Sequence, residues 1–116
     1  MPTDAEQFWN ANLKRRLEWR EDTGGCCIVL RPRLGEGRIG RWVAGHLRDP
    51  YYRIRLDAVG SFVWKACDGE TSLRVIAEQM RRHFGKEIEP AEHRLGRFVQ
   101  TMLRSRLITT VVDIGS

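Results

Sequence analysis

The chain has 116 residues, 41% of them hydrophobic, which predicts a single globular domain over 1–116 and excludes a disordered chain. No apolar run nears the roughly 20 residues of a membrane span, and Met1 to Leu13 lacks the continuous apolar core of a signal peptide, so a cytoplasmic protein is expected. The net charge of +5 resides in one segment: from Arg31 to Leu56, seven arginines (31, 33, 38, 41, 48, 53 and 55) face two acids, Glu36 and Asp49. Such a concentration suits an anionic partner: nucleic acid, anionic lipid or an acidic peptide.

Thr3-Asp4-Ala5-Glu6 is a capping-box pattern ahead of an apolar stripe of Ala5, Phe8, Trp9 and Leu13, and predicts a helix from about Asp4 to Lys14 within an N-terminal segment, residues 1–15. Leu17 and Trp19 then alternate with Glu18 and Arg20, Asp22-Thr23-Gly24-Gly25 is turn chemistry, and Cys26 to Leu30 is a β run closed by Pro32, so a hairpin is expected. Leu34 to Pro50 reads as an insertion, a glycine-rich loop leading into a short basic helix. Tyr51 to Leu56 alternates as a strand, with Tyr52, Ile54 and Leu56 on one face and Tyr51, Arg53 and Arg55 on a wet one, ending a sheet region 16–56.

Three helices are expected over 57–106. Asp57 is a suitable cap for the first, whose buried face collects Val59, Phe62, Val63, Ala66 and Cys67 and leaves Trp64 off it, against a neighbouring element. Asp68-Gly69 reads as a tight turn. Ser72 caps the second helix, which carries Leu73, Ile76, Ala77, Met80 and Phe84 and stops at Gly85. Pro90 suits the first turn of the third, with Glu89 as cap and Leu95, Phe98, Val99, Met102 and Leu103 as its buried stripe. A terminal strand follows over 107–112.

Catalysis finds little support, since no nucleophile, base and acid fall together on one predicted element. Gly35-Glu36-Gly37-Arg38-Ile39-Gly40 matches the G-x-G-x-x-G letters without the parallel sheet that dinucleotide binding needs. Cys26, Cys27 and Cys67 read as buried small hydrophobes, and with His46, His83 and His93 they show no metal-ligand spacing, so neither metal nor cofactor is expected. A helix-turn-helix invites a nucleic-acid reading, with Arg94, Arg97, Arg104 and Arg106 on the third helix, but the run after that helix is neutral where a winged-helix DNA binder would carry a basic hairpin. Nucleic-acid binding is therefore the alternative function. A third reading is a homodimer joined through Phe8, Trp9 and Leu13.

Tyr52-Arg53-Ile54-Arg55-Leu56-Asp57 through Phe62-Val63-Trp64, then Cys67-Asp68-Gly69, then Thr71 to Ile76, resembles the PqqD-like family, small proteins of pyrroloquinoline quinone biosynthesis and their relatives. The resemblance spans roughly Leu17 to Ile108. It implies an α+β, winged-helix-like fold, a three-stranded antiparallel sheet packed on a three-helix bundle, here with an extra N-terminal helix. It also implies a non-catalytic recognition element that presents the leader of a ribosomally made peptide to a modifying enzyme. Tyr51–Leu56 would pair with Ile28–Leu30 and accept the peptide on its other edge, with the third helix as the opposite wall. Carried over by position, the contacts are Arg53, Ile54 and Arg55 from the strand and Arg94, Phe98, Thr101 and Ser105 from the helix, a set whose arginines suit an acidic peptide. Leu107–Val112 is the competing occupant of that edge.

Overall fold

A computed structural model describes residues 4–32 and 51–111; the expected insertion over 34–50, with His46 and the G-x-G-x-x-G letters, lies outside them. The chain order is α1 (Asp4–Asn10), β1 (Asn12–Arg15), β2 (Glu18–Glu21), β3 (Cys27–Pro32), β4 (Tyr51–Arg55), α2 (Ala58–Ala66), β5 (Asp68–Ser72), α3 (Leu73–Phe84), a 3-10 turn (Gly85–Ile88), α4 (Ala91–Arg104) and β6 (Ile108–Val111). Among the described residues this is an α+β fold with four α-helices and two three-stranded antiparallel sheets, where the resemblance implies one sheet. Two compact units result, Leu17–Ala58 on its own and Met1–Arg16 together with Val59–Ser116.

The Leu17–Ala58 unit contains the expected hairpin. Asp22 Oδ1 accepts the amides of Gly24 (2.9 Å) and Cys26 (3.0 Å), and Gly25 supplies the positive φ of 85° that closes the turn. Trp19 then lies opposite Val29, Val29 opposite Ile54, and the order is β2-β3-β4. In β4, Ile54 is half-buried and Arg53 and Arg55 exposed, as alternation requires. Tyr52, expected on the inner face, is 55% exposed. Its partner is the exposed Arg31, two residues beyond the buried Val29, so the sheet's covered face has run out there.

The larger unit is organised by β1. The helix expected to reach Lys14 stops at Asn10, where Ala11 N–H reaches the Phe8 carbonyl, and Asn12–Arg15 becomes the central strand of the order β5-β1-β6. Pairing on both sides satisfies the backbone of these residues, outranking the helical spacing of Leu13. Leu13 is fully buried, so it offers nothing to the expected dimer face, and Phe8 and Trp9 are half-buried with their rings edge to face at 5.4 Å. The Asp68-Gly69 turn is likewise the start of β5. Asp68 Oδ1 accepts the Glu70 amide at 2.8 Å and Oδ2 the Thr71 hydroxyl at 3.1 Å, while Gly69, at φ 85°, lies against the Lys14 stem.

α2 presents a different face from the one its spacing predicts. Trp64 is fully buried with Val63, Ser61 and Gly60, whereas Phe62 is half-buried and stacks on His83 (4.8 Å) beside Phe84 (5.4 Å). At the helix end the Arg15 guanidinium donates to the carbonyls of Trp64 (3.1 Å) and Lys65 (2.8 Å), a cation at a helix C-terminus that ties α2 to β1. The Trp64 indole N–H has no partner among the described residues.

α3 follows expectation closely. Ser72 Oγ accepts the Val75 amide at 3.3 Å, Gly85 ends the helix at φ 71°, and Leu73, Ile76, Ala77 and Met80 are buried. α4 begins after Pro90, which occupies the N-cap position, while the Glu89 side chain, expected to cap, binds Arg81 Nε at 2.7 Å instead. Ala91, Leu95, Val99 and Met102 are buried, and Phe98 and Leu103 half-buried at the margins of that stripe.

Candidate functional site

β4 ends its sheet among the described strands. Leu56 N–H donates to the Cys27 carbonyl at 2.9 Å, which makes these two a hydrogen-bonded pair. Counting back by twos along an antiparallel ladder, the amides of Ile54 and Tyr52 face β3, and those of Arg55, Arg53 and Tyr51 turn away from it. The terminal run does not take this edge. β6 pairs instead with β1, Ile108 opposite Arg15 and Val111 opposite Asn12, which corrects the competing expectation for Leu107–Val112 as far as Val111.

Arg55 has a structural task that its alternation conceals. Its Nη2 meets Asp22 Oδ2 at 2.8 Å, so it braces the carboxylate that folds the hairpin turn. The Cys26 and Gly24 amides and the Arg55 guanidinium together hold the Asp22 carboxyl below its usual range, the Cys26 hydrogen bond first among them. The spacing of Asp22 and Arg55 gives no sign of this pair, because the β2-β3-β4 register alone brings them together. Arg53 and Ile54 sit beside it on β4, opposite Leu30 and Val29.

On α4, Arg94, Phe98, Thr101 and Ser105 recur at i, i+4, i+7 and i+11 and share one strip beside the buried stripe. Arg94 and Thr101 are exposed and Phe98 and Ser105 half-buried. The Thr101 hydroxyl donates to the Arg97 carbonyl (3.0 Å), and the Ser105 amide to the Thr101 carbonyl (3.0 Å), closing the helix. The strip thus offers a guanidinium at one end, a ring edge in the middle and small polar groups beyond.

A cleft of about 210 Å³ lined by Trp9, Arg74, Ala77, Glu78, Arg81 and Glu92 includes none of these residues. Arg81 is clasped there by Glu92 and Glu89, and Glu92 is held below its usual range by that same guanidinium. Burial pushes the Cys67 thiol up to about 12, which makes it a packing group rather than a nucleophile. Among the described residues no group of three or more His, Cys, Asp or Glu is placed to hold a metal, and no helix is long and apolar enough to cross a membrane.

Residues 42–108, more than half the chain, match the family model described as coenzyme PQQ synthesis protein D (PqqD). The match takes in β4, the three helices α2 to α4 and β5, and begins after the β2-β3 hairpin that the resemblance includes. No curated protein and no solved structure matches the chain.

Proposed function

The chain belongs to the PqqD family, and from that premise we propose that it is a non-catalytic peptide-binding protein, which receives the leader of a ribosomally made peptide and presents it to a modifying enzyme. Family membership carries the reading. Two features support it: among the described strands β4 stands last in its sheet, with Arg53 on the exposed face, and Arg94, Phe98, Thr101 and Ser105 line up on α4. An extended peptide adding to β4 gains main-chain hydrogen bonds from the amides of Arg53 and Arg55, with Ile54 between them, and the guanidiniums favour acidic side chains. On α4, Phe98 is the apolar member of the strip. The order α2-β5-α3-α4-β6 supports a winged-helix-like reading of the helices.

The two elements are testable one at a time. With a labelled synthetic peptide of alternating glutamate and valine, Arg53→Glu and Phe98→Ala should each weaken binding measured by fluorescence anisotropy, while the far-UV spectrum stays unchanged. Arg55→Glu is the less informative variant, since it also breaks the Asp22 pair. Backbone exchange with and without peptide should show protection gained at the β4 amides that turn away from β3. Binding with no gain there, and with full affinity in both variants, would remove this reading.

A further inference from the structure

A second strip of α4 remains. His93, Arg97, Gln100 and Arg104 recur at i, i+4, i+7 and i+11, all exposed, opposite the buried stripe of Ala91, Leu95, Val99 and Met102 and about a quarter turn from the Arg94–Ser105 strip. The strip runs about 16 Å along the helix, at 1.5 Å per residue. Glu92 is the one acid in α4, and it is engaged by Arg81. Among the described residues no ion pair engages Arg97 or Arg104. Just past the same helix end, Arg106 follows at φ 60°, and Arg16 Nη1 donates to its carbonyl at 3.5 Å, so two more exposed arginines lie within two residues of Arg104 along the chain or bonded there.

We infer that this strip, with Arg106 and Arg16, binds the phosphate backbone of a nucleic-acid duplex without sequence preference. The charge argues for it. Four exposed guanidiniums, with the hydrogen-bonding side chains of His93 and Gln100 on the same strip and no acid of α4 on that face, complement a polyanion of dense and regular charge. A duplex offers that regularity, about one charge per 1.7 Å of axis, and its major groove, about 12 Å wide, admits one helix. An acidic protein surface would have to match the same spacing with scattered carboxylates. The absence of a basic strand after α4 limits the contact to the backbone, since Thr109, Thr110 and Val111 carry no charge.

A fluorescein-labelled 24-base-pair DNA duplex of mixed sequence, titrated with the whole protein over a salt series, tests this. Four phosphate contacts predict a slope of log K against log salt of about −3 to −4, with a Kd on the order of 10⁻⁴–10⁻⁶ M near physiological salt. The double variant Arg97→Ala/Arg104→Ala should lower the slope by about two and weaken binding by about tenfold or more, with an unchanged melting temperature. Arg82→Ala/Lys86→Ala removes the same charge from α3 and the turn after it, and should leave slope and affinity as they were. Equal losses in the two double variants would reduce the effect to net charge and overturn the inference. So would a polyglutamate competitor that displaces the duplex at lower charge concentration, or binding too weak to titrate at 50 mM salt.

Discussion

The two sheets are built from opposite kinds of pairing. In β2-β3-β4 each strand pairs with its sequence neighbour, whereas in β5-β1-β6 a strand from the start of the chain is inserted between two that come more than fifty residues later. Burial divides the same way. Among the described residues, the buried hydrophobics Cys27 and Val29 belong to Leu17–Ala58, and the others, from Leu13 and Trp64 to Leu107 and Ile108, belong to the larger unit. The long-range sheet therefore accompanies the core, and the local one carries exposed arginines.

Substitutions in the two cores probe this division most strongly. Trp64→Ala removes a fully buried indole and should cost about 3–5 kcal/mol, while Phe62→Ala, from a half-buried ring, should cost about 1–2 kcal/mol. Denaturant melts giving the reverse order would show that α2 buries the face its spacing predicts. Val29→Ala in the smaller unit should fall between them, at about 2–3 kcal/mol, and its melt should separate the two units if they unfold independently.

The three cysteines give a gentler comparison. Cys26 is half-buried, and Cys27 and Cys67 are fully buried, all as free thiols. A thiol reagent should label Cys26 first, then Cys27 as the small unit opens, and Cys67 last, its reaction slowed further because its thiolate is scarce below pH 12. Cys67 labelling ahead of Cys27 would invert the ranking of the units.

The smallest effect expected is electrostatic. Asp22, Asp68 and Glu92 all have carboxyl groups held below their usual values, Asp22 chiefly by the Cys26 amide, Asp68 by the Glu70 amide and Glu92 by Arg81. A depressed carboxyl stabilises the fold above its unfolded value and loses that contribution as pH falls through the lower folded one. Stability should thus be flat above about pH 5 and decline below pH 3.8, the usual value for Asp22 and Asp68. Asp22→Asn should flatten that decline in β2-β3 amide exchange without changing it at Asp68.

What the sequence discloses follows the range of the interaction. The β2-β3 hairpin, the Ser72 cap, the Gly85 stop and the buried stripe of α4 are set by residues a few positions apart, and their patterns are visible in the letters. β1 and β5 are not. Leu13 falls at helical spacing from Phe8 and Trp9, and Asp68-Gly69 has turn chemistry that it does use, yet both segments become strands because partners distant in sequence satisfy their backbones. Trp64 also departs from its spacing, and the Arg15 hydrogen bond to its carbonyl comes from forty-nine residues away. On the candidate site, the α4 residues named by positional carry-over share one strip of the helix, as their spacing requires, while the Arg55–Asp22 pair needs the sheet register to be seen.

The central position of β1 has a consequence for kinship and folding. The stretch shared with the PqqD family, 42–108, contains β5 and the first residue of β6 but not the strand that joins them. Excised at those boundaries, the segment would lose three backbone bridges: Leu73 N–H to the Ala11 carbonyl, Arg15 N–H to the Cys67 carbonyl and Arg16 N–H to the Leu107 carbonyl. It would also lose Leu13 from its core. β5 would stand as a bare edge, the kind that recruits strands from other molecules. The stretch that matches the family therefore lacks two strands that its own elements pair with, β1 between β5 and β6 and β3 beside β4.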